Sequence, residues 1–301
     1  MVRVMRRSKK AKIKECDEDF RDKLVVITGA TSGIGFATAR KYAFHGANLL
    51  LINRNEEKSI RVCEEIREEF GVECEYKIAD FSRISDVVNV SKELLDSNLT
   101  IDVFIHNAGV FYTKKVITED NLEITFQVDY LGSFILTYLL KDKLKTQEST
   151  RIIFVNSEGH RFALFGLRLD DLEWEDHHYS GNRSYGQAKL AQLLSMIKFD
   201  EYFKDSGVSI NAMHPGSVLT SMGQNNGRTY RFFKRLFIDR AAKSPEISAQ
   251  ALYYLGVSKE MNGVSGKFFR LTAEEEPAFP ALDKEVADEL WSFSIKLGGL
   301  E

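Results

Sequence analysis

From residue 23 onward, short apolar runs alternate with longer amphipathic stretches. The runs are nearly continuous and rich in β-branched residues, which is typical of parallel strands buried on both faces. The stretches between them have the periodicity of amphipathic helices. The predicted strands cover residues 24–28, 48–53, 73–77, 103–106, 151–155, 209–213 and 266–269. The predicted helices cover residues 33–45, 56–69, 84–95, 122–144, 185–203, 245–255 and 284–297.

This alternation predicts an α/β fold with a doubly wound, Rossmann-like parallel sheet, because right-handed crossovers place helices on both faces. No break in composition marks a second domain within residues 21–301. Lys and Arg dominate residues 3–14 without any acid, and we expect residues 1–20 to form a flexible basic tail. The segments 159–183 and 217–243 follow strand ends, where ligands bind in such sheets, and we expect both to cover a substrate.

Composition argues against several classes of function. A formal net charge of -3 gives no reason to expect nucleic acid as a partner. The 3 cysteines have neither CxxC nor metal-ligand spacing, so we expect no metal and a reducing, cytoplasmic location. No apolar run approaches the ~20 residues needed to span a bilayer. The basic face of residues 228–240 leaves peripheral contact with a membrane open.

The segment from Thr28 to Gly35 reads TGATSGIG and lies directly between the first predicted strand and the first predicted helix. Glycines at this place let the backbone turn sharply and approach a pyrophosphate closely. The helix that begins near Gly33 offers free N–H groups and a positive dipole end to that anion. The segment therefore predicts a dinucleotide site.

The second predicted strand ends in Asn53, and Arg54 follows it. In Rossmann folds that prefer NAD, an acidic residue here binds the adenosine ribose hydroxyls. Asn53 brings no carboxylate that would repel a 2′-phosphate, and the guanidinium of Arg54 can pair with one. We therefore predict NADP(H) as the cofactor, with NAD(H) as the alternative.

A Tyr–Lys pair marks the chemical end of the predicted cleft. Tyr185 and Lys189 are four residues apart and so lie on one face of a helix. A free phenol has a pKa of about 10, which a nearby ammonium and an oxidised nicotinamide lower. Ser157 ends the fifth predicted strand, where its hydroxyl can hold a substrate oxygen. Hydride transfer to a carbonyl needs a proton and stabilisation at that oxygen, and these groups supply both.

With TGxxxGxG at residues 28–35, Asn-Ala-Gly at 107–109 and YxxxK at 185–189, the chain resembles the short-chain dehydrogenase/reductase family. The resemblance covers residues 23 to about 270. It implies that Tyr185 is the acid/base, that Lys189 binds the nicotinamide ribose and tunes Tyr185, and that Ser157 orients the substrate oxygen. It implies a cofactor site formed by Thr28, Gly29, Thr31, Ser32, Gly33, Ile34, Gly35, Arg54, Asp80, Phe81, Asn107, Ala108, Gly109, Tyr185, Lys189, Pro215, Gly216, Val218 and Thr220.

Within the family, the chain is most similar to the retinol-dehydrogenase-like and WW-domain-oxidoreductase-like members, on residues 126–132, Ser157 with His160, 189–191 and 243–246. These members usually have Asn where this chain has Asp129, and that Asn completes a catalytic tetrad. If its backbone carbonyl does this work, Asp129 is harmless. If its carboxylate points inward, it pairs with Lys189 and weakens the effect of that lysine on Tyr185.

A second departure is Glu158, which directly follows Ser157. A charge so close to the substrate side either marks a polar substrate or belongs to a side chain that faces solvent.

Apolar side chains in the two covering segments are either a lid over a lipophilic substrate or amphipathic covers that pack on the core. They are Phe162, Leu164, Phe165, Leu167 and Leu169 in the first segment, and Tyr230, Phe232, Phe233, Leu236 and Phe237 in the second.

Two other functions stay open. A nucleotide-sugar epimerase or dehydratase shares the Tyr/Lys pair, but usually has TGxxGxxG and a larger C-terminal domain. A scaffold or sensor that binds NADP without turnover is supported by Asp129 alone. A homodimer through the helices predicted at 122–144 and 185–203 is open as well.

Overall fold

In the computed structural model, the apolar runs form one eight-stranded sheet in the order β3-β2-β1-β4-β5-β6-β7-β8. Neighbouring strands are parallel, except for the antiparallel pair β7 and β8. The predicted doubly wound sheet is confirmed. The strands are β1 (Leu24–Thr28), β2 (Asn48–Asn53), β3 (Cys74–Ile78), β4 (Val103–His106), β5 (Thr150–Val155), β6 (Val208–His214), β7 (Phe268–Arg270) and β8 (Ala273–Glu274). The structure describes residues 11–163, 165–172, 174–216, 218, 223, 226–227 and 244–300.

Helices cover both faces of the sheet, and each face has its own apolar core. One core contains Phe134 and Leu290, and the other contains Tyr42 and Leu252. Burial on both faces explains why the strands lack polar alternation. None of the described helices is long and apolar enough to cross a membrane. The helices are α1 (Gly33–Phe44), α2 (Glu56–Phe70), α3 (Ile84–Asp96), α4 (Ile124–Phe126), α5 (Gly132–Lys145), α6 (Gly181–Tyr202), α7 (Pro245–Val257) and α8 (Lys284–Gly298).

The strand order positions a crevice at the carboxyl edge of the sheet. Strand β1 lies between β2 and β4, so the chain leaves it toward β2 and later continues on its other side. Such a reversal separates the connecting loops, and ligands bind in the gap between them. The turn after Thr28 therefore faces the loops that follow β4 and β5.

The helix predicted over 122–144 is broken into three segments. Helix α4 is followed by a π-helical turn (Gln127–Leu131) and then by α5. The carboxylate of Glu123 caps α4 by accepting a hydrogen bond from the backbone N–H of Phe126 at 2.9 Å. Asp129 lies within the π turn, and turns of this kind occur frequently at functional sites.

Helix α6 begins at Gly181, before the predicted start at residue 185. The early start packs the helix against the loop after β4, since a Cβ at Gly181 would lie 2.2 Å from the backbone oxygen of Tyr112. Tyr185 therefore lies in the second turn of α6.

Part of the predicted basic tail contacts the folded domain. The backbone N–H of Lys14 donates to the hydroxyl of Thr272 at 2.9 Å, Cys16 is buried, and the backbone N–H of Phe20 donates to His45 O at 3.0 Å. These contacts attach residues 14–20 to the domain. Residues 1–10 lie outside the described residues.

Candidate active site

A cleft of about 690 Å³ opens at the carboxyl edge of the sheet and brings both predicted ends of the site together. Thr28, Gly35 and Asp129 support it from outside its lining, and Thr220 lies outside the described residues. The predicted residues that line the cleft are Gly29, Thr31, Ser32, Gly33, Ile34, Arg54, Asp80, Phe81, Asn107, Ala108, Gly109, Ser157, Tyr185, Lys189, Pro215, Gly216 and Val218.

The glycine turn is held against the loop after β4. The Thr28 hydroxyl accepts hydrogen bonds from the backbone N–H groups of Asn107 and Ala108, both at 3.0 Å. The Asn107 amide donates back to Gly29 O at 2.9 Å. Gly29 has φ 69°, and a Cβ there would lie 2.8 Å from Ala108 Cα, so no larger residue fits. The turn is therefore preformed at the start of α1.

The end of β2 presents cations to the cleft. Asn53 is buried, and its side-chain oxygen accepts a hydrogen bond from Ala30 N at 2.7 Å, so it braces the glycine turn. Arg54 is exposed and lines the cleft, and no residue in the described ranges forms an ion pair with it. Asp80 is the only acid among the described residues that line the cleft.

Lys58 is a second cation in the cleft lining that the motifs did not mark. The side chain of Asn55 caps α2 by accepting a hydrogen bond from Lys58 N at 2.9 Å. Lys58 therefore lies in the first turn of α2, four residues after Arg54. An Asn before a helical stretch is a capping signal that the sequence shows, but its relation to the cleft depends on the fold.

Ser157, Tyr185 and Lys189 converge at the other end of the cleft. The Ser157 hydroxyl accepts a hydrogen bond from Gly159 N at 3.0 Å and also bonds Tyr185. The Lys189 ammonium lies 5.7 Å from the centre of the Tyr185 ring and donates to Val155 O at 3.2 Å. One helix thus places a phenol and an ammonium beside the hydroxyl at the end of β5.

The acidity of Tyr185 is set by opposing effects. Burial raises the pKa of its phenol, whereas the charge of Lys189 and the hydrogen bond to Ser157 lower it. In the free protein burial outweighs the lysine, so the pKa lies above its usual value rather than below it. Lys189 does lower the pKa of Tyr185, as the sequence predicts, but burial raises that pKa by more.

The side chain of Asp129 points inward. Its carboxylate lies 3.4 Å from the Lys189 ammonium and accepts a hydrogen bond from Val110 N at 2.6 Å. Its backbone carbonyl accepts one from the Gln192 amide at 3.3 Å. Burial raises the pKa of Asp129 to about 6, against the lowering effect of Lys189. Of the two alternatives for this residue, the structure shows the inward ion pair.

Glu158 does not line the cleft and is not free in solvent. Its carboxylate pairs with Arg161 at 3.0 Å and lies 3.5 Å from His214. Neither sequence interpretation of Glu158 includes these two contacts, and both stay predictions. The sequence around Glu158 does not show the approach to His214, because His214 lies at the end of another strand, β6.

The first covering segment contributes little to the lining. Phe162 and Phe165 are exposed, at 57% and 88%, and neither lines the cleft. Leu167 and Leu169 pack partly buried against the core. Leu164 and the predicted apolar residues of the second segment lie outside the described residues. Apolar side chains of the cleft lining come instead from Val110, Phe111, Val128 and Val218, and Phe111 packs on Tyr185.

Comparison with known proteins agrees with this geometry. The model of a family described as short chain dehydrogenase matches residues 23–167. Human retinol dehydrogenase 13 is 36% identical over 284 residues, which cover 93% of this chain and 85% of that protein. The chain belongs to the short-chain dehydrogenase/reductase family. It is therefore an oxidoreductase of alcohol and carbonyl groups, in the retinol-dehydrogenase-like subgroup.

Other relatives support the family and the fold. Human WW domain-containing oxidoreductase is 32% identical over 287 residues, 93% of this chain and 69% of that protein. A solved, uncharacterised protein of Mycobacterium Paratuberculosis has a TM-score of 0.72 and 26% identity, covering 93% of this chain and 95% of its own. A Shigella flexneri protein described as a short chain dehydrogenase was solved with NADP; its TM-score is 0.66 at 21% identity, covering 85% and 99% of the two chains.

Gly159 is a further residue of this short-chain dehydrogenase/reductase site that no motif marked. A Cβ there would lie 2.6 Å from the Tyr185 ring and 3.2 Å from the Ser157 hydroxyl. The absence of a side chain at residue 159 therefore lets the two groups approach each other.

Replacing Gly159 with alanine is expected to displace the Tyr185 ring and to lower kcat by about a hundredfold, as expected for a misplacement of ~1 Å. Cofactor affinity should change little, because Gly159 does not line the cleft. Steady-state kinetics and a cofactor titration check this. Gly227→Ala is the matched control, because nothing lies within 4 Å of a Cβ at that glycine. Equal kcat in both variants would contradict the assigned role.

Proposed function

We propose that the protein is an NADP(H)-dependent oxidoreductase that transfers a hydride between the nicotinamide and an apolar carbonyl or alcohol, with Tyr185 as acid/base. The observation that carries this proposal is a single cleft that joins the glycine turn and two cations to Ser157, Tyr185 and Lys189.

The residues of the cleft fit such a cofactor. Because no side chain fits at Gly29, the backbone N–H groups at the start of α1 are accessible to a pyrophosphate. Arg54 and Lys58 line the cleft just after β2, where Rossmann folds bind the adenosine ribose, and they lack carboxylate partners in the part of the chain that the structure describes. We infer that they bind the 2′-phosphate, because cationic side chains form strong, charge-assisted hydrogen bonds with phosphate oxygens. The bound cofactor supplies or accepts the hydride.

The protein supplies the proton and holds the substrate oxygen. The Ser157 hydroxyl accepts a hydrogen bond from Gly159 N, and its O–H, which interacts with Tyr185 in the free protein, donates to a substrate oxygen when one is bound. Tyr185 donates its phenolic proton to that oxygen as negative charge develops there. Lys189 stabilises the resulting phenolate from one helical turn away. In the reverse direction the phenolate accepts the proton of the alcohol.

The substrate proposal rests on the wall of the cleft. Phe111 packs edge-to-face on Tyr185, with ring centroids 5.8 Å apart, and Val110 and Val128 extend this surface. The apolar side chain of Phe111 beside Tyr185 suits an apolar carbonyl compound at this point of the cleft. The similarity to retinol dehydrogenase 13 makes retinoids one candidate class.

The test is turnover of NADPH by the purified protein, followed by nicotinamide absorbance. The substrates are all-trans-retinal, aromatic and medium-chain aldehydes, and glyceraldehyde as a hydrophilic control. We expect kcat/KM at least about tenfold higher for the apolar compounds than for glyceraldehyde. Binding of NADPH without turnover of any compound would favour a scaffold or sensor instead, for which the ion pair between Asp129 and Lys189 is the supporting observation.

Replacing Arg54 with alanine is expected to weaken NADPH binding by about tenfold to a hundredfold, because a charge-assisted hydrogen bond is lost. Lys58→Ala should act in the same direction, and NADH binding should hardly change in either variant. Parallel fluorescence titrations with both cofactors measure this. Arg61→Ala is the control, since Arg61 lies on the same helix but pairs with Glu57 at 3.8 Å. Equal losses for NADPH and NADH would refute a 2′-phosphate site.

A further inference from the structure

The carboxylate of Asp129 and the ammonium of Lys189 form a buried pair behind Tyr185. The side chains are 0% and 3% exposed, and the nearest charged atoms lie 3.4 Å apart. Because water is excluded from both groups, neither charge is screened as it would be at the surface. The electrostatic effect of Lys189 on Tyr185 therefore depends on the charge of Asp129.

The orientation of the Asp129 carboxylate is fixed on three sides. Val110 N donates to one carboxylate oxygen at 2.6 Å. A Cβ at Gly109 would already lie 3.2 Å from the carboxylate, so the loop after β4 closes over it. The Gln192 amide holds the backbone carbonyl of the same residue, and Asn156 donates to the Gln192 side-chain oxygen at 2.9 Å. The carboxylate is thus directed at Lys189 by its surroundings.

The charges that act on this pair come from few groups. Lys189 on α6 and Glu123 before α4 act on Asp129, with the lysine lowering and the glutamate raising its pKa. Lys189 lowers and Asp129 raises the pKa of Tyr185, on top of the increase caused by burial. The Lys189 ammonium at 3.4 Å and the hydrogen bond from Val110 N at 2.6 Å both favour the ionised carboxylate of Asp129 over the neutral acid. Its negative charge then offsets much of the positive charge of Lys189.

We propose that Asp129 is a positioning residue that acts through Lys189: it offsets the charge of that lysine, keeps Tyr185 protonated at neutral pH and thereby favours carbonyl reduction over alcohol oxidation. Reduction consumes the proton of Tyr185, and a proton from solvent then replaces it. Oxidation instead needs the tyrosinate, which accepts the proton of the alcohol. The effect on reaction direction rests on the proposed function, whereas the effect on Tyr185 does not.

The test is the ionisation of Tyr185 itself, followed by NMR of protein labelled with carbon-13 at the tyrosine Cζ and assigned with Tyr185→Phe. Asp129→Asn removes the charge and keeps an acceptor for Val110 N, and Asp129→Ser is a second such variant. We expect both to lower the pKa of Tyr185 by about one, the low end for a charge acting nearby. Asp102→Asn is the control, because Asp102 pairs with Lys23 at the opposite edge of the sheet, at 3.0 Å.

An unchanged Tyr185 titration in the Asp129 variants would overturn the proposal, and a merely structural role would not move that titration. Kinetics then test the direction: the ratio of kcat for alcohol oxidation to kcat for aldehyde reduction, each measured at pH 7 with saturating substrate and cofactor, should rise about tenfold in Asp129→Asn, the equivalent of one pH unit. The probes are benzyl alcohol with NADP⁺ and benzaldehyde with NADPH. A shifted titration in a protein without turnover would sink the proposed function and leave the Asp129 effect standing.

Discussion

Replacing Tyr185 with phenylalanine is expected to lower kcat for carbonyl reduction by about a thousandfold, the middle of the range for a positioned general acid. The phenol lies in the cleft beside Ser157 and above Lys189, and no other described side chain in the lining brings a comparable proton donor to that point. NADPH affinity should change little, because only the hydroxyl is removed. Steady-state kinetics with the best aldehyde and a cofactor titration measure the two quantities.

Tyr42→Phe is the matched control for that variant. The Tyr42 hydroxyl is also buried and donates a hydrogen bond, to Leu252 O at 3.1 Å, but it lies between α1 and α7 and outside the cleft. Losing it should cost about 1 kcal/mol of stability and leave kcat unaltered. A Tyr185→Phe protein that kept most of its activity would contradict the role of the phenol.

Replacing Lys189 with methionine is expected to lower kcat by about a hundredfold or more and also to destabilise the fold. The destabilisation arises because the buried Asp129 carboxylate loses its counter-charge. Removing one partner of a buried pair typically costs about 3–5 kcal/mol. Chemical denaturation and kinetics on the same protein measure both effects.

The double variant Asp129→Asn/Lys189→Met separates these two effects. Without the carboxylate no buried charge remains unpaired, and we expect most of the lost stability to return. Activity should stay low, because Tyr185 still lacks its ammonium. Recovery of activity together with stability would show that Lys189 acts only by satisfying Asp129.

The pattern of apolar runs was sufficient to predict the sheet, because burial on both faces leaves a clear signal in each strand. The glycine turn and the Tyr185–Lys189 spacing were equally visible, since both are local. The roles assigned to the individual site residues remain predictions until the variants above are measured. The cleft brings together the turn after β1, the end of β5 and the start of α6, as the positions of these residues at strand and helix ends indicated.

What the sequence did not show depends on contacts between distant segments. The π-helical turn that contains Asp129 has hydrogen bonds that span one residue more than those of an α-helix. The apolar periodicity of the sequence does not show this difference. The inward direction of Asp129 depends on Val110, and the place of Glu158 depends on His214. The early start of α6 depends on a close approach between Gly181 and Tyr112.

The most direct test of the central claim is binding of the two reduced cofactors by the unaltered protein. Purified protein is titrated with NADPH and NADH separately, and the fluorescence of the nicotinamide is followed. The cleft with Arg54, Lys58 and no acid at the end of β2 predicts saturable binding of both, at least about tenfold tighter for NADPH. Equal affinities would contradict the NADP(H) assignment, and binding of neither would contradict the proposed activity itself.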